Sequence, residues 1–386
     1  MEYNFDKQIV RRGSNSFKWD FPPEGVLPMW VADMDFEIAP AITQAIRKRL
    51  EHPVFGYAFV PQSYYDSVIA WFDRRHHWKI EKEWILYMPG VIPSLSMAMR
   101  TLCEKGDKVL VLSPVYNHFY DAINNCDCEV LESSLIYANN TYTINYDDLD
   151  RKAADEKVKM LLFCNPHNPA GRVWTYDELK KVSDICLKHK IVLVSDEIHC
   201  ELTMPDVEYC PFATVSEECF DNAIIFNSPS KPFNIAGLQI SNIICKNPQL
   251  RNRLQATVTK YEFGMVNAIG IEALQAAYNE GAGWLDAMRA YVADNYHCLC
   301  RFFAEKLPHI AVTKIEGSYL AWVNIKSLGM TSDEVCQRLL EQAKVMVSSG
   351  SMYSKKDGEG FIRINIACSR DRMMEGLNRM YEVLKK

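Results

Sequence analysis

The residues with the clearest chemical potential lie in Asn227-Ser-Pro-Ser-Lys-Pro-Phe-Asn-Ile-Ala-Gly-Leu-Gln239, centred on Lys231. The run follows the apolar, β-rich Ala223-Ile-Ile-Phe226, so a strand is expected to end just before the lysine. A solvated lysine is only a surface charge. A lysine crowded into a tight loop loses part of its proton affinity and becomes an amine usable in Schiff-base chemistry. Ser228-Pro-Ser-Lys231 also fits the S-x-x-K pattern of β-lactamase-type serine nucleophiles. That pattern requires a downstream Lys-Thr-Gly, which the chain does not contain, so the amine reading stands.

Four more polar residues follow apolar runs in the same manner: Tyr116, Asn168, Asp196 and His199. The elements positioning them alternate between strand and helix. Strands are expected at Lys108–Leu112, Met160–Phe163, Ile191–Val194 and Ala223–Phe226, with a helix at Tyr176–His189 between the second and third. Near-continuous apolar strands between helices indicate a mostly parallel sheet covered on both faces. Ligands of such sheets sit beyond the carboxyl ends of the strands, where these five groups converge. The run Leu238–Cys245 follows too closely for a parallel crossover and is expected to be antiparallel to its neighbour.

Upstream, Leu27–Phe36 is apolar and acidic without periodicity, as suits a segment threaded along a pocket wall. Helices are expected at 41–50 and 62–78. Pro89-Gly-Val-Ile-Pro-Ser94 opens a helix through Cys103 whose first amides form an anion site, with Gly90 permitting close approach. Downstream, helices Ile269–Tyr278 and Trp284–Leu307 are separated by Gly281 and Gly283. They lead into strand Tyr319–Ile325, helix Ser332–Glu341, strand Phe361–Ala367 and helix Arg370–Leu384. Residues 51–285 are expected to form a large domain, and residues 1–50 with 286–386 a small one.

Composition excludes other classes. The net charge of −6, without basic clusters, argues against a nucleic-acid partner. No apolar run approaches membrane-spanning length, and Met1–Asp6 lacks a signal-peptide layout. Thirteen cysteines without a C-x-x-C pair read as buried thiols of a reduced cytoplasmic protein, and no metal site is expected, His76-His77 included.

The five groups suit an electron-poor pyridine ring held by Lys231. Asp196 would keep the ring nitrogen protonated, Asn168 would donate to a phenolic oxygen, and Tyr116 would cover the ring face. Gly90, Val91, Ile92 and Ser228 would take a phosphate. Arg363, in the alternating Phe361–Ile366 run, would grip a carboxylate through two parallel hydrogen bonds.

The sequence resembles the fold-type-I pyridoxal-phosphate superfamily, aminotransferase class I/II, and within it the MalY/PatB group of cystathionine β-lyases. The resemblance rests on Met29-Trp-Val-Ala-Asp-Met-Asp-Phe36, Phe55-Gly-Tyr57, Pro89-Gly-Val91, Asn165-Pro-His-Asn-Pro169, Ser195-Asp-Glu-Ile-His199, Ser230-Lys231 with Phe233-Asn-Ile-Ala-Gly237, and Arg363-Ile-Asn-Ile-Ala367. It implies an α/β fold with a mostly parallel seven-stranded sheet in the large domain and a smaller α/β domain. It implies pyridoxal 5'-phosphate in Schiff-base linkage to Lys231, with the contacts just given for Asp196, Asn168, Tyr116 and the phosphate group. His199 and Ser230 would complete the cofactor's surroundings, and Arg363 would bind the substrate carboxylate. Tyr57 would reach the neighbouring subunit's phosphate and substrate, making the active unit a homodimer. The implied reaction is α,β-elimination of a cysteine thioether, with Lys231 moving the proton and Lys231 or Tyr116 protonating the leaving thiolate. His199 stands where aminotransferases often have Tyr, and Gln239 where they commonly have a phosphate-binding Arg; both favour the lyase group. The rival readings are an aminotransferase and a cofactor-binding regulator with little turnover.

Overall fold

The computed structural model describes residues 3–385, leaving Met1, Glu2 and Lys386 at the margins of the expected small domain outside the described residues. Seven strands form the large sheet: β1 (Ile85–Met88), β2 (Lys108–Ser113), β3 (Glu129–Ser134), β4 (Val158–Cys164), β5 (Val192–Asp196), β6 (Ala223–Asn227) and β7 (Ser241–Ile244). Their spatial order is β1-β7-β6-β5-β4-β2-β3. Only β7 runs against the others, pairing antiparallel with both β6 and β1, as its short connection requires. The expected seven-stranded, mostly parallel sheet is therefore present.

Alternation along the strands builds two cores. Val109, Val111, Met160, Leu162, Val194 and Ile224 face one side. Leu110, Leu112, Leu161, Phe163, Leu193 and Ile225 face the other, within the larger apolar cluster. Helices cover both faces, so each central strand buries both sets of side chains. β3, Glu-Val-Leu-Glu-Ser-Ser, is the polar edge strand that the apolar pattern does not reveal.

The helices α1 (Pro40–Leu50) and α2 (Gln62–His76) come first, followed by α3 (Val91–Leu102), which opens on the site. Further along are α4 (Asn117–Asn124), α5 (Tyr176–His189), α6 (Ala268–Glu280) and α7 (Ala282–Lys306). Gly281 alone makes the joint between the last two: a Cβ there would lie 2.4 Å from the Ala277 carbonyl oxygen and 2.5 Å from the Phe233 ring. Gly283, expected to break the chain as well, lies inside the first turn of α7, where glycine is tolerated.

A second, antiparallel sheet follows, formed by β8 (Ala311–Val312), β9 (Leu320–Asn324), β10 (Ser348–Ser349) and β11 (Phe361–Asn365) in the order β8-β9-β11-β10. The expected helix Ser332–Glu341 ends earlier as α-helix, at Arg338, and continues as a π-turn over Leu339–Ala343. Helix α8 (Arg370–Leu384) closes the chain. Leu27-Pro28 pairs in parallel with Val345-Met346, tying the N-terminal segment to this smaller layer. Helix α1 instead packs along α6, on the helical cover of the large sheet.

Candidate active site

The loop after β6 is tied by its own polar groups. The Ser228 hydroxyl donates to the Ile240 carbonyl at 2.5 Å and accepts from the Ser230 amide at 3.0 Å. This turns Lys231 towards a cavity of about 400 Å³ at the carboxyl edge of the sheet. Lys231 is half-buried, and its Nζ donates to the Ala32 carbonyl at 2.7 Å. Burial lowers its pKa to about 8, with Asp33 and Asp196 opposing and Arg363 reinforcing the shift. A usable fraction of free amine therefore exists near neutral pH.

Asp196 ends β5 almost fully buried. Burial pushes its carboxyl up to about 7, against the Ile198 amide that donates to Oδ1 at 3.1 Å and against Lys231. His199, three residues on, is buried and held neutral: burial, then Lys231 and Arg363, lower its pKa to about 3. Its Nδ1 has no partner among the described residues. Tyr116, at the start of α4, is kept protonated by burial, partly offset by Arg363. Asn168 Oδ1 accepts from Arg363 Nη1 at 3.2 Å. Arg363 Nη2 donates to the Trp30 carbonyl at 3.0 Å, its guanidinium lies 4.8 Å from the Tyr353 ring centre, and its buried Nε is unpaired among the described residues.

On the opposite wall, Gly90 precedes α3 with φ +149, a backbone conformation that side-chain-bearing residues rarely adopt. Val91 and Ile92 begin the helix there, and their free amides suit an anion. From the segment Trp30–Phe36, whose aperiodic sequence suited a pocket wall, Ala32 lines the cavity. Asn234 holds the segment through Met34 and Phe36, and Asn365 through the Val31 and Asp33 carbonyls.

The cavity thus unites Lys231, Asp196, His199, Asn168 and Tyr116 with Gly90, Val91, Ile92 and Ser230. Three residues expected at the site are not among those lining this cavity in the described chain. The Ser228 hydroxyl donates to the Ile240 carbonyl. Arg363 borders the cavity through Asn168, whose Oδ1 accepts from it, and through the Trp30 carbonyl. Tyr57 is 95% exposed, outside this chain's own cavity. Sequence reasoning did not assign Phe263 or Cys164 to the lining, both apolar contributors without a chemical signature. His76 is a hydrogen-bond partner of Glu201: its Nε2 lies 2.6 Å from Oε1 of this carboxylate, which also accepts from Trp71 and Arg75.

These features fit pyridoxal phosphate. Asp196 is a buried acid lacking a full counter-charge, which a protonated ring nitrogen would provide. The α3 amides and the Ser230 hydroxyl suit the phosphate, and Asn168 and Lys231 can meet the ring's oxygen substituents.

The chain matches the aminotransferase class I and II family model over residues 25–380. It is 39% identical over 386 residues to cystathionine beta-lyase PatB of Bacillus subtilis, covering 99% of this chain and 100% of that protein. It is 30% identical to protein MalY of Escherichia coli, covering 99% of each. The crystal structure of cystalysin from Treponema denticola, which contains pyridoxal 5'-phosphate, superposes with a TM-score of 0.96 at 36% identity, covering 100% of this chain and 99% of that one. With its fold, its cavity and its full-length sequence in agreement, the chain belongs to the aminotransferase class I and II family.

Proposed function

We propose that the protein is a pyridoxal-phosphate-dependent carbon–sulfur β-lyase that cleaves L-cystathionine and related cysteine thioethers to a thiol, pyruvate and ammonia. The observation that carries this reading is the pairing, within one cavity, of a half-buried amine of depressed basicity with a buried carboxylate awaiting a cation. The full-length similarity to proteins named cystathionine beta-lyase supports the choice of reaction.

When bound, the cofactor supplies a carbonyl for Schiff-base formation and an electron-poor ring that takes up the electron pair left at Cα. Arg363, oriented by Asn168 and Trp30, holds the substrate α-carboxylate and so fixes which Cα bond faces the ring. Lys231 accepts the Cα proton, since its lowered proton affinity leaves free amine at neutral pH. The proton then passes to the departing sulfur from Lys231 or from the protonated phenol of Tyr116. Neutral His199 adds no charge against Asp196. The released enamine hydrolyses to pyruvate and ammonia.

The active unit in this reading is a homodimer. Val54, Phe55, Tyr57 and Phe59 are exposed along one short segment, an apolar strip that a second copy would cover while Tyr57 enters its cavity. Residues 51–285 and residues 1–50 with 286–386 would act as two domains, with α1 packed across the division. All thirteen cysteines are free thiols, which supports a cytoplasmic setting, and no described helix is long and apolar enough to cross a membrane.

Incubation with L-cystathionine and pyridoxal phosphate, without any keto acid, tests the reaction. Continuous, equimolar release of pyruvate and thiol is expected. A single loss of the cofactor absorption band without pyruvate, restored by a keto acid, would make the protein an aminotransferase instead.

A further inference from the structure

His167 lies in the Asn165-Pro-His-Asn-Pro169 turn, directly before Asn168, and is 1% exposed. Its backbone is locked into that turn: its amide donates to the Arg172 carbonyl at 2.7 Å, and its carbonyl accepts from the Gly171 amide at 2.7 Å. The ring crosses to a different loop, where Nε2 lies 2.9 Å from the Pro114 carbonyl oxygen, two residues before Tyr116. The edge of the Trp174 ring packs against it, with centroids 5.5 Å apart. Since Pro114 offers only an acceptor, Nε2 must carry the hydrogen. Burial lowers the ring's pKa to about 4, so His167 is neutral and this tautomer is fixed. The next residue, Val115, donates its amide to the Tyr353 carbonyl, and Tyr353 in turn stacks under Arg363.

We infer that His167 is a positioning residue for the reaction: its Nε2–H bond to Pro114 fixes the distance between Tyr116 and Asn168, the two residues that cover the cofactor ring and contact its oxygen. This inference rests on the functional reading above, which places both residues around pyridoxal phosphate. The ring does not line the cavity, so its influence passes through the two loops it joins. Without the donor, the buried Pro114 carbonyl loses its only side-chain partner among the described residues, and the Tyr116 loop is released from the Asn168 turn.

The test compares the wild type with His167→Phe, which keeps a ring, and His167→Gln, whose Nε2 can reach the same carbonyl. Each protein is reconstituted with pyridoxal phosphate, and three quantities are measured: the wavelength of the bound-cofactor band, the cofactor Kd, and kcat and KM for L-cystathionine. The expected result for His167→Phe is a displaced band, cofactor binding weakened about tenfold or more, and a fall in kcat that exceeds any rise in KM. His167→Gln should recover the wild-type band and most of kcat. A merely structural role would lower the melting temperature of His167→Phe but leave the band and Kd of the folded protein unchanged, which would overturn the inference. Should His167→Phe fail to fold, His167→Asn, too short to reach Pro114, takes its place with the same expectations. A wild type that binds no cofactor would refute the functional reading, an outcome distinct from a normal wild-type band shared by all variants.

Discussion

Replacing Asp196 with Asn should stabilise the cofactor-free protein, in a way that depends on pH. The unfolded chain ionises this carboxyl from its ordinary value of 3.8, whereas the folded chain resists ionisation until about 7. Below about pH 4 both states are protonated and the residue contributes nothing to the difference. Between these values the unfolded state releases its proton first, so stability falls as pH rises, and above about 7 the loss is complete. The interval corresponds to roughly 4 kcal/mol, with about 2–4 kcal/mol expected once the folded protein relaxes around the charge. Asn can accept from the Ile198 amide as Asp196 Oδ1 does, without ever ionising. Urea unfolding of cofactor-free protein should therefore give a higher midpoint for Asp196→Asn at pH 8, with an unchanged slope, and converging midpoints near pH 4. Adding pyridoxal phosphate should reverse the order at pH 8, because only the carboxylate attracts a protonated ring and gains stability by binding it. Equal midpoints at pH 8 without cofactor, or a less stable variant there, would refute the account of Asp196 as a buried charge awaiting its partner.

Three other outcomes are expected. Gly90→Ala must adopt φ +149 with a side chain, at about 1–3 kcal/mol, and equilibrium dialysis should show weaker cofactor retention in a protein that still folds. Arg363→Lys keeps the charge but loses the planar fork held by Asn168 and Trp30; KM for the amino acid should rise about tenfold or more, while the absorption band of the bound cofactor stays in place. Lys231→Ala should lose activity by about 10²–10⁴-fold or more, and mixing it with an inactive Tyr57→Ala protein under subunit exchange should restore part of it, because one cavity of the mixed dimer then holds both native residues.

Side chains placed by local backbone rules were legible in the sequence. Lys231, Asp196 and Asn168 follow strands whose apolar composition marks them, and β7 could be given its direction from loop length alone. Where a group's partner is a distant backbone atom, the sequence carries no signal. Ser228 is separated from Ile240 by a whole turn, and only the folded loop shows that its hydroxyl is already engaged. Ala32 and Trp30 enter the site through their carbonyls, which every residue possesses. Gly281 and Gly283 look equivalent in the sequence, yet only one meets a carbonyl and a ring where its Cβ would stand. The π-turn after Arg338 likewise continues a helical pattern that gives no warning of the change.

The wall formed by Trp30–Phe36 has a consequence for how the protein is made. Its clasps are Asn234, beside the reactive lysine, and Asn365, two residues beyond Arg363 on the last strand. A ribosome delivers the wall within the first tenth of the chain and the second clasp only near the end. The large sheet can form in the interval, but one side of its cavity stays open to solvent. Tight capture of the cofactor thus belongs to the finished chain, and a nascent chain arrested after α7 would carry a complete large sheet and a reactive lysine without the enclosure that makes the lysine selective.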